Sequence, residues 1–313
     1  MPTASESGVI SSGNKNILVL SAISAAYLLL SYVLIGFKPE QLILVGIFNL
    51  LYFASKESRR LILGFSIFIV YWIIFDYMKA FPNYRYQEVD IAGIYHFEKG
   101  IFGIASGESI LTPNEFFQAH TTSFFDVLSG LFYLTWVPVP LLFAVFLFFK
   151  ERRQFFYFSL TFLLVNVLGF IVYYLHPAAP PWYVQHFGFD FNPATPGNTA
   201  GLSRFDAFFE VSIFKSIYAK SSNVFAAMPS LHSSYPVIVL FFGIKNKLRY
   251  VNVLFAFIML GIWFAAVYSS HHYLVDVLAG IFCALAGISL FRFLEKRRPL
   301  KNVVDYLMKA TAP

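Results

Sequence analysis

Long apolar runs separated by short polar clusters organise this chain. A helix that crosses a bilayer needs about 20 apolar residues. Eight runs approach or reach that length, near 17–37, 40–55, 61–78, 127–149, 155–175, 229–244, 250–270 and 273–294, and the second and sixth are short. Two longer segments, 79–126 and 177–228, interrupt the rhythm. In the first, Ile91, Ile94, Tyr95, Ile101 and Phe102 recur at helical spacing, with Asp90 positioned to cap the helix. Glu98 interrupts that stripe, and Gly93, Gly100 and Gly103 weaken it. Thr112, Pro113 and Glu115 mark a second helix start, with a cap, a first-turn proline and a capping box. Such helices would lie in the membrane interface or pack on the bundle. The second segment is rich in Pro, Gly and Asn. It is too long for an idle connector, which predicts a functional lid.

Composition turns this pattern into a fold class. The chain is 58% hydrophobic and 20% aromatic, with 39 phenylalanines and only 13% charged residues. A soluble domain carries roughly 25% charged residues, so lipid must be the main solvent here. The expected fold is all-α, a polytopic transmembrane helical bundle of about eight spans with interfacial helices. The expected divisions are N-terminal anchor spans over 1–60, a main membrane domain over 61–298, and a cytoplasmic tail over 299–313. The polar stretch Met1–Lys15 lacks a signal-peptide cleavage pattern, so the first run reads as a retained anchor. A single cysteine, Cys283, excludes an internal disulfide and a cysteine-rich metal site.

Charge then orients the spans. Sixteen Lys and Arg fall on one side: Lys15; Lys56, Arg59 and Arg60; Lys150, Arg152 and Arg153; Lys245, Lys247 and Arg249; and six between Arg292 and Lys309. The remaining seven of the 23 fall on the other: Lys38, Lys79, Arg85, Lys99, Arg204, Lys215 and Lys220. The positive-inside rule places both termini in the cytoplasm and the two long segments outside. A net charge of +6 could suggest nucleic acid. The positive residues are split into short clusters between spans, so no nucleic-acid partner is expected.

Three groups of reactive or unusual residues converge on the outer side. His176-Pro-Ala-Ala-Pro-Pro-Trp-Tyr183 ends the fifth span; its prolines stop the helix and its aromatics suit the lipid–water boundary, a structural reading. Met228-Pro-Ser-Leu-His-Ser-Ser-Tyr-Pro236 opens the sixth, where Ser230 or Pro229 begins a helix whose free N–H groups attract anions and whose first turn carries His232. Tyr268-Ser-Ser-His-His-Tyr-Leu-Val-Asp276 joins the seventh and eighth. His272 and Asp276 are four apart and share a helix face. A carboxylate on one ring nitrogen fixes the tautomer and leaves the other nitrogen free to act as a nucleophile. An ionised Asp at membrane depth costs on the order of 2.5–3.5 kcal/mol at a helix centre, so it normally has a partner and a task. Two histidines and an aspartate from separate spans, beside a helix N-terminus, point to catalysis. His232, His271, His272 and Asp276 could in principle ligate a metal, but the adjacent His271 and His272 point about 100° apart on a helix, so no metal is expected.

At these residues the chain resembles the type 2 phosphatidic acid phosphatase superfamily, whose Pro-Ser-x-His and His-x-x-x-Asp motifs stand here as Pro229-Ser-Leu-His232 and His272-Tyr-Leu-Val-Asp276. It is most similar to the inositol phosphorylceramide synthase branch. That likeness is carried by the Ala-Ala-Pro-Pro-Trp-Tyr run at 178–183, Pro-Ser-Leu-His-Ser at 229–233 and His-His-Tyr-x-x-Asp at 271–276, and extends from about Asp90 to Phe291 through Thr135-Trp-Val-Pro-Val-Pro140. The resemblance implies that six of the spans form the superfamily core. It implies that His272 attacks lipid phosphorus to form a phosphohistidine, that Asp276 orients it, and that His232 protonates the departing oxygen and then activates the acceptor hydroxyl. No cofactor is implied. The implied substrates are phosphatidylinositol and a ceramide-like acceptor, with diacylglycerol as the second product.

One departure stands out. The wider superfamily grips phosphate with a Lys and an Arg-Pro before the second motif and a Ser-Arg pair before the third. The aligned Ser-Arg positions are Ala265 and Ala266 here, and no Lys or Arg-Pro accompanies His176 to Tyr183. The phosphate-binding candidates are Ser230, Lys220, Arg204, His271 and nearby backbone amides. A phosphodiester carries less charge than a phosphomonoester, so a weaker cage would suffice. Two alternatives stay open: a lipid phosphate phosphatase with the same site, and a non-enzymatic proton relay or transporter. Against the latter, spans seven and eight are nearly apolar below Asp276. The short tails and lack of sorting motifs suggest a bacterial inner membrane with the site facing the periplasm, with a Golgi membrane and lumenal site as the alternative.

Overall fold

The computed structural model describes residues 4–219 and 223–312. The chain divides into two compact units, one running through Ala80 and including the last residues from Lys309, the other Phe81–Met308. Among the described residues, six helices are long and apolar enough to cross a membrane: Asn16–Ile35, Lys56–Ala80, Ser123–Lys150, Arg152–Leu175, Tyr250–Tyr268 and Leu274–Leu294. Pro39–Ala54 and Leu231–Lys245 are shorter apolar helices. They are the two runs that the pattern marks as short. The protein is an all-α, multi-pass membrane bundle.

The first unit is built from α1 (Ala4–Ile35), α2 (Pro39–Ala54) and α3 (Lys56–Tyr77). Gly36 adopts a φ of +76° at the first turn, and Gln41 closes that turn by accepting from the Lys38 amide and donating to the Gly36 carbonyl. In lipid, apolar surface gives helices little reason to associate, and polar pairs help to fix their contacts. Asn49 donates to Ser24 at 3.0 Å between α2 and α1, and Ser31 and Tyr77 share a 2.8 Å hydrogen bond between α1 and α3.

The second unit begins with α4 (Ala92–Phe102), the hairpin β1 (Ile104–Ser106) and β2 (Ser109–Leu111), and α5 (Pro113–Ala119). Thr112, Pro113 and Glu115 form the expected capping box. The fourth apolar run divides into α6 (Ser123–Tyr133) and α7 (Pro138–Lys150). Pro138 and Pro140 cannot donate backbone bonds, so the helix ends at Tyr133 and restarts at Pro138. Next come α8 (Arg152–Leu175), the short helices α9 (Pro181–Phe187), α10 (Ser203–Phe208) and α11 (Ile213–Tyr218), the spans α12 (Leu231–Lys245), α13 (Tyr250–Tyr268) and α14 (Leu274–Leu294), and finally α15 (Arg298–Ala310).

α12 is the most enclosed span, packed by α7, α8, α13 and α14. Its hydroxyls are matched to these neighbours. Ser234 donates to the Gly280 carbonyl at 2.7 Å, Tyr235 to Asn166 at 2.7 Å, and Trp263 donates to the Ser233 carbonyl at 3.0 Å. The Ser230 amide bonds the Asp276 carbonyl at 2.9 Å. The start of α12 is thus tied directly to the first turn of α14. Gly280 makes this possible, because a Cβ there would run into the Ser230 carbonyl oxygen. Gly280→Ala should therefore separate the two helices and cost about 1–3 kcal/mol, the usual range for overpacking. A lower thermal midpoint of the purified protein in detergent checks this; an unchanged midpoint would mean that the contact is not close.

Candidate active site

The proline-rich segment after α8 is extended and bonded on both edges. On one side the Asp90 amide donates to the Pro177 carbonyl at 2.8 Å and the Ala179 amide to the Asp90 carbonyl at 3.0 Å. On the other, the Ala178 amide donates to the Phe225 carbonyl at 3.1 Å and the Ala227 amide to the Ala178 carbonyl at 3.3 Å. The segment thereby fixes the chain that enters Pro229 and α12. Trp182 and Tyr183 are buried in an aromatic cluster with Phe225 rather than lying at the lipid boundary.

The turn between α13 and α14 carries the second histidine motif. Its geometry is over-determined by backbone bonds. The Ala266 carbonyl accepts from both the His271 and His272 amides, at 3.1 and 3.0 Å. Buried Asn114, from α5, donates to the carbonyls of Val267 (2.8 Å) and His272 (2.9 Å). α14 then starts with three amides to satisfy. Asp276 accepts from the Tyr273 amide at 2.9 Å, and Glu98, fully buried on α4, accepts from Leu274 at 2.9 Å and Val275 at 3.0 Å. Glu98 interrupts the apolar stripe of α4 because it shares the buried face with Ile91 and Ile94 and meets this helix start. Burial pushes its carboxyl above the usual range; the two amides pull it back, and the neighbouring Asp276 carboxylate pushes it up further.

These supports bring the three motif residues together. His232 Nδ1 lies 3.2 Å from His272 Nε2. The opposite ring nitrogen of His272, Nδ1, faces Asp276 Oδ2 at 3.5 Å. Asp276 is completely buried and His272 nearly so. The carboxylate favours the proton on Nδ1 and leaves Nε2 with its lone pair. Burial pushes the His272 imidazole down to about 4, partly offset by the Ala227 main chain, so the ring is neutral near pH 7. A neutral imidazole oriented this way can act as a nucleophile or a base.

The sequence-predicted phosphate candidates occupy distinct places. Ser230 caps α12, accepting from the Ser233 amide and hydroxyl at 3.3 and 3.0 Å. His271 bonds the Thr199 carbonyl through Nε2 at 2.8 Å and is stacked between Tyr218 and Tyr133. Burial and the neighbouring His272 push its imidazole well below the ordinary value. Arg204 pairs with Asp126 through Nε at 2.5 Å and lies over the Tyr268 ring, while its Nη2 is buried with no hydrogen-bond partner among the described residues. Lys220 lies outside the described residues. The 177–228 segment packs onto the turn, with the Trp182 amide donating to the Ser270 carbonyl and the Gly201 amide to the Ser269 carbonyl. Among the described residues no three His, Cys, Asp or Glu side chains are grouped to hold a metal ion.

Glu98, Asn114 and Tyr133 belong to the site and have no motif around them. Tyr133, at the end of α6, has its hydroxyl 3.2 Å from His232 Nδ1. The capping start after Thr112 pointed to α5 as an element, but neither its position nor its spacing indicates that Asn114 clamps a turn 153 residues away.

The fold and this His–His–Asp arrangement define a membrane enzyme of the lipid phosphatase and phosphotransferase type. The PAP2 superfamily model matches residues 107–290, and the chain belongs to that superfamily. It is 46% identical over 294 residues to a phosphoinositol dihydroceramide synthase of Bacteroides thetaiotaomicron, covering 93% of this chain and 96% of that one. An inositol phosphorylceramide synthase of Candida albicans is 30% identical over 187 residues, and a catalytic subunit of the same enzyme from Schizosaccharomyces pombe is 33% identical over 141. The chain spans 38% and 32% of the length of these two fungal relatives. No solved structure gives a significant match.

The low His272 value has a consequence for stability. Its ordinary value is 6.5, so between pH 6.5 and about 4 the unfolded chain binds a proton that the folded one does not. Stability should fall as pH drops through that window, and His271 contributes with the same sign. The raised Glu98 carboxyl acts in the opposite direction over the same window, so the comparison is with His272→Asn: the thermal midpoint of the wild type should lose more between pH 6.5 and 4 than that of the variant. Equal changes in the two proteins would contradict a buried neutral His272.

Proposed function

We propose that this protein transfers phosphoinositol from phosphatidylinositol to the hydroxyl of a ceramide-like lipid and releases diacylglycerol. The observation that carries this reading is the pair of imidazoles 3.2 Å apart, with a buried carboxylate facing the far nitrogen of one of them. His272 Nε2 attacks phosphorus. The bond from phosphorus to the diacylglycerol oxygen breaks, and His232 gives that oxygen a proton. The phosphoinositol is then held on His272, where Asp276 balances the charge that the ring acquires. The acceptor hydroxyl passes its proton to His232 and attacks phosphorus. The phosphorus–nitrogen bond breaks and His272 returns to its starting state. The named activity of the relative that is 46% identical over nearly the full chain supports this donor and acceptor pair.

The phosphate grip differs from the wider superfamily. Ala265 and Ala266 are both completely buried, so the space for an arginine side chain there is filled. Arg204 approaches from the overlying segment instead. It lies beside Gly201 and Ser269, and its Nη2 is free to donate. We assign Arg204 and Lys220 to the phosphate cage, with the amides at the start of α12, where Ser230 is the cap. One or two cations match a monoanionic diester better than a dianionic monoester. The distribution of Lys and Arg supports an outward-facing site, periplasmic in a bacterial inner membrane.

Purified protein in detergent, given headgroup-labelled phosphatidylinositol with and without ceramide, tests the reading. Label should enter a ceramide-dependent lipid product, His272→Ala should lower the rate by about a thousandfold or more, and Arg204→Ala by about tenfold. Label appearing only as free inositol phosphate would make the protein a hydrolase. Full activity in both Arg204→Ala and Lys220→Ala would locate the cage elsewhere.

A further inference from the structure

His272 has a carboxylate to fix its tautomer, but no carboxylate faces His232 among the described hydrogen bonds and ion pairs. Its Nδ1 instead has two neighbours at 3.2 Å: His272 Nε2 and the hydroxyl of Tyr133. With the His272 proton held on Nδ1 by Asp276, His272 Nε2 has nothing to donate. The hydrogen in that contact must therefore belong to His232 Nδ1, donated to His272 Nε2. The proposed chemistry removes this acceptor. Once phosphorus bonds to His272 Nε2, its lone pair is gone, and the His232 Nδ1 hydrogen needs another partner in a closed site.

Tyr133 is the acceptor that remains. It is completely buried, and its hydroxyl hydrogen-bonds that of Tyr218. If its own proton goes to Tyr218, a lone pair on the Tyr133 oxygen faces His232. The rings are held without that hydrogen bond. Tyr133 stacks on His271 at 5.4 Å, and Trp136, in the break between α6 and α7, lies edge-on to His232 at 4.5 Å. We propose that Tyr133 is the positioning residue of His232. It keeps the proton on Nδ1 through both halves of the transfer, so that Nε2 alone gives a proton to the leaving oxygen and takes one from the acceptor. A neutral phenol fits this task, because an anionic partner would make His232 a weaker acid towards the leaving group. This inference rests on the reading of His232 as the acid and base.

A double-mutant cycle separates the two claims. Ceramide-dependent transfer by the wild type, together with a large loss in His232→Ala, establishes the parent reading. Given that, Tyr133→Phe should lower kcat by about 10- to 100-fold with KM nearly unchanged. It should cause no further loss when added to His232→Ala, because it acts through that residue. Tyr218→Phe, one step further out, should give a smaller loss with the same dependence on His232, and it serves as the test if Tyr133→Phe does not fold. Wild-type kcat in Tyr133→Phe, or an equal fractional loss with and without His232, would overturn the inference.

Discussion

A helix that begins at the edge of a membrane exposes N–H groups where water is scarce, and each must find a partner. At α14 two carboxylates meet this need: Glu98 takes the Leu274 and Val275 amides, and Asp276 takes that of Tyr273. Glu98 leaves Asp276 with a single amide to satisfy. One Asp276 oxygen therefore carries both that bond and the contact with His272, and the other oxygen has no hydrogen-bond partner among the described residues. The position of His272 follows from this start, from the Asn114 clamp on its carbonyl, and from the bond between Ser230 and Asp276 that draws α12 and His232 alongside.

The same constraint extends to the described residues of the long 177–228 segment. The proline run bonds to chain on both edges, α5 reaches the α13–α14 turn, and the stretch through Thr199 and Gly201 closes over His271 and Ser269. Ala265 and Ala266 allow that closure, since larger side chains at those buried positions would push α6 and α10 away. In the proposed cage, Arg204 from the covering segment takes the place of the arginine that the family resemblance would put at Ala266. That arrangement would leave less fixed positive charge on the floor of the site, as a diester requires.

Much of this was legible in the sequence. The spacing of apolar runs gave the spans, including the two short ones. The Thr112 capping box marked α5, and three short motifs pointed to the residues that the structure brings together, His232, His272 and Asp276. These signals are local, because a helix period or a cap depends on neighbours a few residues away. Glu98 reads as a flaw in an amphipathic stripe, since its partners lie 176 and 177 residues on. Tyr133 reads as one more aromatic in an apolar run; its hydroxyl gains meaning only beside His232, 99 residues later. The break at Pro138 and Pro140 was visible as composition, but its effect, bringing Trp136 against His232, was not.

The central claim is that phosphorus passes through His272 and does not move directly from donor to acceptor. A phosphatidylinositol analogue with one phosphate oxygen replaced by sulfur is chiral at phosphorus, and the configuration of the ceramide product reports how many displacements occurred. Two in-line displacements, onto His272 and off again, predict retention of configuration. Inversion would mean a single direct transfer and would contradict the account.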